Sequence, residues 1–563
     1  MENTELPIGQ GRLQEFTRIL ESYKAGKAVT EARIVSSENW WKLRSGPADE
    51  AGGFVSRSGW LHNVIVSKHA DAVEAYPEPV ILPREASDAP EARRLSAIVP
   101  CVLEYSRFEG VYSDAMWQKL KTGTGVYKVV WDPACHGGLG DIRVQRVNLL
   151  NIFWEPGLTD IQKSPCFFHT ELVSRDALEE QYPGITWTDT GFVSTKFLYD
   201  DRVDTTDKVT VIEVYYRRQG LLHYCRYVGS TVLYATENDP LLACRGLYDH
   251  GKYPYVFDAL FPIEGSPCGY GFVDLCRNPQ TEIDMLKTAF LKNAMVGATP
   301  RYFARTDGAV NEEEFLDLSR PIVHVAGNLG DDSLKRLEHS TLDGVYVDVL
   351  QSTIDELRQT SGNTETATGT SSGVTAASAI AALQEASGKG SRDATLASYR
   401  AFSQVVELCI ELIRQFYDLP RQFRILGAQG QEDYISYANT ALKPQEQGGS
   451  FGCRVPVFDI RVSAQRHNAY ARSSQNELAL RLYGLGFFEA ENRDKALQCL
   501  ALMDFEGRQA LMQSLCHAGT PPACPEGQAQ DAEQATRGAS GPQSAAPSST
   551  DLARRQALEA PLP

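Results

Sequence analysis

The sequence predicts an α+β fold in which long helices accompany an antiparallel β-rich domain. Residues 123–262 contain β-rich runs between turn residues, and Asp141–Asn148 alternates apolar and polar side chains, as antiparallel strands do. Residues 392–417 place apolar side chains at steps of three and four, as an amphipathic helix does. Residues 269–418 follow the order helix, short β insert, helix, polar loop and long helix. This order favours a subunit that contributes rods to a shared axis over a compact enzyme.

The size and charge of the chain limit its class. At 563 residues it exceeds one ordinary core, so two to four domains are expected. It has no apolar run of about 18 residues and no basic-then-apolar start, which predicts a cytoplasmic protein without a membrane span. A net charge of -17 argues against gripping nucleic acid by charge. It is compatible with a wall along which DNA slides, or simply with solubility.

The N-terminal part is predicted to be helical. Residues 10–50 place Leu13, Phe16 and Leu20 on one face. Further helices are predicted at Ser67–Ala75, ended by Pro77 and Pro79, after an N-cap at Asp88, and at Tyr112–Leu120.

Strand patterns fill the next part. Strands are predicted at Gly123–Pro133, Asp141–Asn148, Cys166–Ser174 and Lys208–Arg217, with a hairpin over 221–234. Ser174 is expected to cap a short helix, Arg175–Gln181, and residues 184–206 form an exposed insert.

Two further helices flank a small α/β insert. The first is predicted at Val273–Ala298, with Pro279 as a kink or as the start of its main part, and the second at Leu342–Gln359. The insert contains a helix at Asn311–Asp317 and a strand at Pro321–Ala326. Strands at Arg421–Leu426 and Val457–Ser463 are expected to return to the β domain, followed by helices at 468–483 and 493–516. The composition after 518 predicts disorder.

The candidate chemical motifs are weak. Gly123-x-Gly125-x-x-Lys128 lies inside a strand pattern and lacks the ending of a phosphate loop. Cys135-His136 has no second ligand pair, and His169 and His223 are expected to be structural. The 12 cysteines form no C-x-x-C pair, which favours free thiols in a reducing compartment.

Two polar segments have two open interpretations each. Residues 360–374 contain no Lys or Arg, so they are either a flexible linker or a mobile loop that touches a moving polymer. In the second case Asn363, Thr364 and Thr366 would donate hydrogen bonds. The run Glu312, Glu313 and Glu314 is either a solvated helix face or a docking surface for a basic partner.

Four stretches resemble the portal, or head–tail connector, family of tailed bacteriophages. They are GTGVYKVVWDP from Gly123, residues 147–184, residues 269–303, and the loop and helix of residues 360–417. The likeness covers about residues 100–485. Glu155-Pro156, where Asp-Pro is common, and Pro279 depart from the pattern.

The resemblance implies a wing, stem, clip and crown architecture with long helices around a central channel. The wing would be 1–272 and 376–466, the stem helices 273–298 and 342–359, and the clip 299–341. The tunnel loop would be 360–375, the crown 467–517 and a disordered tail 518–563. The DNA-facing residues of the tunnel loop would be Asn363, Thr364, Thr366, Thr368 and Thr370.

The resemblance also implies charged stem and clip surfaces. Lys287 and Lys292 of the first stem helix would either face the lumen or, the favoured interpretation, pair with Asp348 or Asp355. The clip docking surface would contain Glu312, Glu313, Glu314, Asp331 and Asp332.

The resulting hypothesis is a non-enzymatic ring, expected to be a dodecamer, at one capsid vertex of the virion. Double-stranded DNA would pass through it during packaging and ejection. The partners would be the terminase large subunit, the major capsid protein and scaffold, and later the neck or tail adaptors, with no cofactor, metal or membrane. The alternatives are a capsid-associated adaptor or scaffold without a channel and, more remotely, an enzyme.

Overall fold

The computed structural model describes residues 8–43, 56–185, 207–298, 302–304, 311–316, 324, 334–336, 343–363, 389–426, 432–446, 453–466, 481–486, 497 and 500. The chain divides into two compact units. One comprises Met1–Val73, Pro77–Ser463 and Ala557–Pro563, and the other Glu74–Tyr76 and Ala464–Gln556. In the second unit, Leu482 and Leu500 are buried. The elements that matter below lie in the first unit.

Four helices and one strand form the N-terminal part: α1 (Gln10–Trp41), α2 (Trp60–Glu74), β1 (Ala75–Pro83), α3 (Ala89–Tyr105) and α4 (Phe108–Thr122). Helix α2 starts seven residues before its predicted start at Ser67, because Leu61 and Val64 are buried on one helical face despite the low helix propensity of this segment. Pro77 and Pro79 lie in β1, which pairs on one edge only and therefore tolerates residues without an N–H.

Neither of the two residues predicted to be N-caps makes a capping hydrogen bond from its side chain to the helix backbone. Asp88 precedes α3 with helical dihedrals, and its carboxylate accepts a 2.6 Å hydrogen bond from Arg454 instead. Ser174 occupies the cap position of α5 (Arg175–Gln181) with extended dihedrals, but its hydroxyl makes no capping bond.

The β-rich part contains β2 (Thr124–Asp132), β3 (Asp141–Arg146), β4 (Ile152–Phe153), β5 (Cys166–Ser174), β6 (Lys208–Arg218), β7 (Leu221–Val228), β8 (Thr231–Ala235) and β9 (Tyr255–Ala259). They form a sheet in the order β3-β2-β9 and another in the order β4-β5-β6-β7-β8. Every pairing is antiparallel, as predicted. A core of Phe153, Phe168, Val214 and Tyr227 joins the larger sheet to Leu13, Phe16 and Leu20 of α1.

Gly123 makes the turn from α4 to β2. Its φ is +91°, and a Cβ there would lie 2.4 Å from the carbonyl oxygen of Gly269. Residue 269 begins β11 (Gly269–Tyr270), which pairs with β10 (Phe261–Pro262). Strand β11 can therefore pack against this turn only because residue 123 has no side chain.

Gly123→Ala should lower the free energy of unfolding by about 1–2 kcal/mol from the left-handed backbone alone, and further through the contact with Gly269. Gly110→Ala is the matched control on α4, since nothing lies within 4 Å of its Cβ position. The control should stabilise by up to about 1 kcal/mol. Urea unfolding of the unassembled subunit measures both, and equal midpoints for the two variants would contradict the expected strain.

Two long helices enclose the small insert. They are α6 (Phe272–Ala298) and α8 (Val345–Ser361), and between them lie β12 (Tyr302–Ala304), α7 (Glu312–Leu316) and β13 (Leu334–Arg336). Strands β12 and β13 pair antiparallel. Helix α6 continues through Pro279, so its main part does not begin there. Buried residues on both sides of the proline, among them Cys276 and Ile283, pack into one core and keep the helix continuous.

The predicted strand Pro321–Ala326 is not present at the one residue described there, since His324 lies outside any strand. Helix α9 (Lys389–Phe416) then follows, three residues longer at its start than predicted. Its buried face includes Phe402, Val406, Cys409 and Ile413.

The last strands are β14 (Arg421–Leu426), β15 (Glu432–Tyr437), β16 (Gln445–Glu446), β17 (Cys453–Arg454) and β18 (Phe458–Arg466). The expectation that 421–426 and 457–463 return to the β domain is wrong. Strand β14 pairs with β15, its neighbour in sequence, and β18 pairs with β1. A short hairpin loop costs little closure entropy, which favours the local partner for β14. The predicted helices 468–483 and 493–516 lie almost entirely outside the described residues.

Candidate functional site

Helices α6 and α8 share a core in only part of their length. Phe272, Val273, Cys276 and Ile283 of α6 pack with Leu357 of α8, and Ile354 packs against the same cluster. Helix α2 contributes three residues to this core, and Leu120 of α4 a fourth. The first half of α6 and the second half of α8 are thus fixed to the N-terminal helices.

The halves of both helices next to the insert expose several apolar side chains. Met285 and Met295 of α6 are 56% and 61% exposed, and Val345 and Val347 of α8 are 62% and 56% exposed. Tyr346 and Val349 are also exposed. A cluster of exposed apolar side chains on a soluble subunit marks a surface that another surface covers.

A ladder of buried polar residues holds α6 in place. Gln280, Asp284 and Thr288 recur every four residues and so lie on one face of the helix. They accept hydrogen bonds from the backbone N–H groups of Leu61 (3.1 Å), Ser58 (2.8 Å) and Ser56 (3.0 Å), respectively. Sequence reasoning missed this ladder, although three polar residues at a spacing of four on a buried face are its signal.

The predicted charged residues of the two helices are spread over exposed surfaces. Lys287, Lys292 and Asp348 are exposed. Asp355 is half-buried and has partners on its own helix, Gln351 Nε2 at 3.2 Å and Arg358 at 3.6 Å. These contacts describe one subunit, and the predicted pairing of the lysines with Asp348 or Asp355 stays a prediction.

A buried lysine contacts the chain where the predicted loop begins. Helix α8 ends at Ser361, and its C-cap is Gly362, whose φ of +68° is left-handed. The Lys68 ammonium of α2 lies 3.5 Å from the Gly362 carbonyl oxygen, and burial lowers the pKa of Lys68. The backbone N–H of Asn363 donates to Ser361 Oγ at 3.3 Å. Thr364, Thr366, Thr368 and Thr370 lie outside the described residues.

The chain is described again from Lys389, and a second buried lysine contacts it there. Lys119 of α4 donates to Ala394 O and Ser398 Oγ of α9 and to Asp258 of β9. Lys68, Lys119 and Ser398 line one cavity of about 20 Å³. The lysine that contacts Gly362 and the first turns of α9 thus line the same cavity.

The acidic residues of the insert differ in their surroundings. Glu313 is exposed, whereas Glu314 accepts hydrogen bonds from the backbone N–H of His324 at 2.7 Å and from its ring at 2.9 Å. The side chain of Glu312 and both Asp331 and Asp332 lie outside the described residues.

The motif around Gly123 and Lys128 is a packing feature. A Cβ on Gly125 would lie 2.8 Å from the carbonyl oxygen of Ala115, so the glycine lets α4 pack on β2. Lys128 Nζ lies 2.8 Å from Glu213 Oε2 and is buried. Neither residue has the surroundings of a phosphate loop.

A buried polar cluster surrounds Glu213 in the β domain. Besides Lys128, it accepts from the His169 ring at 3.1 Å and the Tyr224 hydroxyl at 3.0 Å. Burial raises the pKa of Glu213, but Lys128, His169 and Arg226 together hold it well below its usual value. His223 contacts Thr236 Oγ1 at 3.2 Å. Both histidines are structural, as predicted.

Within the part of the chain that the structure describes, no group of three His, Cys, Asp or Glu side chains is placed to hold a metal ion. His136 instead contacts Asp141 at 2.9 Å. No described helix combines the length and apolarity that crossing a membrane requires.

One serine pattern escaped the sequence reasoning. Residues 369–373 read Gly-Thr-Ser-Ser-Gly, which matches the letters of a nucleophile elbow. An elbow requires a strand before it and a helix directly after it. Residues 369–373 lie outside the described residues. The letters therefore carry no catalytic hypothesis.

Comparison with known proteins gives one match. A family model described as phage P22-like portal protein matches residues 70–224 and 222–561, from α2 to near the C-terminus. No curated protein matches the chain. The matched residues include α6, the insert, α8 and α9.

Proposed function

The chain belongs to the P22-like portal protein family, and from this membership we propose that it forms a ring through which double-stranded DNA enters and leaves a phage capsid. The family is structural and belongs to the virion. The single observation that best supports a ring is the exposed apolar half of α6 and α8, which needs a covering surface in the assembled protein.

We propose that α6 and α8 are the stem of the portal and that the insert between them is the clip. The wing would be 1–272 with 376–466, the clip 299–341, and the tunnel loop 360–375. The crown would be 467–517 and the tail 518–563. In support, α6 has 27 residues and so extends about 40 Å, a suitable length for a channel wall.

A second copy of the subunit is the proposed cover for the apolar stem surface. The exposed side chains occur on both helices, so each hairpin offers apolar area to a neighbour on either side. Each fully buried Met or Val contributes about 1.5–3 kcal/mol to such an interface. A closed ring repeats this contribution at every interface, and a dodecamer is the proposed number.

The proposed lumen surface carries little positive charge. On α8 the exposed side chains include Asp348, Gln351, Ser352 and Glu356, which would hold DNA loosely. Lys287 and Lys292 of α6 are exposed and would either form cationic belts in the ring or pair with acids such as Asp348 and Asp355. The sequence-based preference for pairing is retained as a proposal.

The insert is the proposed docking surface for other virion and packaging proteins. Exposed Glu313, together with Asp331 and Asp332, would contact the terminase large subunit first and the neck or tail adaptors later. Glu314 is a poorer contact residue because His324 occupies its carboxylate. The major capsid protein and scaffold would surround the wing.

Electron microscopy of the purified full-length protein tests the ring directly. We expect rings with a central hole about as wide as duplex DNA. Monomers or closed dimers at assembly concentration would contradict the channel and favour a capsid adaptor without one.

Deleting residues 363–371 should leave ring formation intact and strongly reduce the DNA content of the capsids. The deletion removes Asn363, Thr364, Thr366, Thr368 and Thr370, the residues proposed to contact DNA. Quantifying encapsidated DNA by nuclease protection measures the effect. A matched control replaces the same nine residues with nine Gly and Ser residues, so that the length of the segment is kept. Normal filling of capsids built with the deletion would favour the linker interpretation.

A further inference from the structure

Residues 364–388 separate two described segments of the chain, and each of these segments is contacted by a buried lysine of the N-terminal helices. Lys68 contacts Gly362 O, the carbonyl that follows α8. Lys119 contacts Ala394 O and Ser398 Oγ, one turn apart in α9. Both lysines line one cavity, and so do Ala394 and Ser398.

The Lys119 ammonium uses all three of its N–H donors. It lies 2.6 Å from Asp258 Oδ1, 2.7 Å from Ser398 Oγ and 3.0 Å from Ala394 O. The side chains of Lys119 and Asp258 are each only 1% exposed. One side chain of α4 thus joins strand β9 to one particular turn of α9.

Stability alone gives a poor reason for this pair. A buried ion pair is often no more stabilising than apolar side chains of similar volume. Here Asp258 Oδ2 is buried without a hydrogen-bond partner among the described residues. Apolar neighbours, Met116, Leu120 and Phe272, line the cavity beside it.

The ion pair specifies the position of α9 along its axis, which apolar packing does less sharply. The buried face of α9 repeats apolar residues at nearly every turn, among them Phe402, Val406, Cys409 and Ile413. Farther along α9, Lys252 lies 2.7 Å from Glu407 and the backbone N–H of Asp249 donates to Gln415 at 2.9 Å, whereas Lys119 contacts the first turns of the helix. The ammonium has partners in one register only, because Ala394 O and Ser398 Oγ face it together.

We propose that Lys119 is a positioning residue that sets the register of the first turns of α9 on the β domain, and with it the place from which α9 continues the chain after residues 364–388. Lys68 fixes the other end at Gly362. The functional part of this inference rests on the proposed role of that segment as the tunnel loop. In that role, the wing strand β9 and the loop base are mechanically joined through Asp258.

The test removes both charges, so that no buried ion is left alone. Lys119→Met with Asp258→Val is compared with Lys121→Met with Glu38→Leu in the full-length ring. The control pair also lies on α4, with Lys121 Nζ 2.7 Å from Glu38, but it joins α4 to α1 and not to α9. Both double variants should form rings.

Hydrogen exchange of residues 394–399 is the first measurement. We expect exchange at least about ten-fold faster in the Lys119/Asp258 variant and within about two-fold of wild type in the control. A purely stabilising pair would instead change exchange across α4, β9 and α9 together. Unchanged exchange at 394–399 would overturn the inference.

DNA content of capsids built with each variant is the second measurement. A fall of at least about ten-fold in the Lys119/Asp258 variant alone supports both the register role and the tunnel loop. Faster local exchange with normal DNA content supports the positioning role and counts against the tunnel loop. The two proposals therefore fail separately.

Discussion

Replacing Met285 and Val347 together by aspartate should abolish ring formation while leaving the subunit folded. Both side chains are more than half exposed, so the change costs the isolated subunit within about 0.5 kcal/mol. In a ring, each interface would have to bury carboxylates without partners, at a cost of several kcal/mol per interface. Because every subunit has two neighbours, the cost recurs around the ring.

Sedimentation velocity and electron microscopy measure the assembly, and urea unfolding checks the fold. Val29→Asp is the matched control, since Val29 is 83% exposed and belongs to α1, not to α6 or α8. We expect rings from the control and only unassembled subunits from the double variant. Rings of normal yield from the double variant would mean that the apolar ends of α6 and α8 face something other than a neighbouring subunit.

Glu213→Gln should be the most destabilising single substitution in the β domain. It leaves the Lys128 ammonium buried without a counter-charge and weakens the hydrogen bonds of His169 and Tyr224. Loss of one partner of a buried pair costs about 3–5 kcal/mol. Urea unfolding of the unassembled subunit at pH 7 measures this. Glu179→Gln, on the exposed face of α5, should change the midpoint little.

The difference between wild type and Glu213→Gln should depend on pH in one direction. The folded pKa of Glu213 lies well below the usual value, so the ionised carboxylate stabilises the fold above the unfolded pKa of about 4.3. This contribution is lost as pH falls through the folded pKa. The two unfolding midpoints should therefore converge below about pH 4. A constant difference from pH 7 to pH 3 would show that Glu213 acts through its shape and not its charge.

Periodic patterns made much of the fold predictable. The apolar spacing of α9, α6 and α8 identified three helices to within a few residues, because burial on one face imposes a period of 3.6. β-rich runs between turn residues identified β2, β5, β6, β7 and β8, and alternation identified β3. The family resemblance, confirmed by the family match, also came from this order of elements.

Features that depend on distant partners escaped prediction. Strand pairing is one example, since the sequence of β14 or β18 does not specify which edge it joins. Buried polar contacts are another: Asp284 and Lys119 look like surface residues in the sequence, and only the fold brings Ser58 and Ser398 to them. Asp88 is a residue type that is common at N-caps, but Arg454 donates a stronger, charge-assisted hydrogen bond to its carboxylate.

The pairing of β1 with β18 has a consequence for biosynthesis. Arg84, just after β1, bonds to Asp459 at 2.7 Å, so residues separated by 375 positions must meet. On a ribosome that adds about 5–20 residues per second, β1 emerges many seconds before its partner strand exists. Throughout that interval the backbone N–H and C=O groups of β1 that will pair with β18 can pair instead with other chains being translated nearby. Completion of this edge, and with it release of a subunit fit to associate, therefore waits until β18 has been translated.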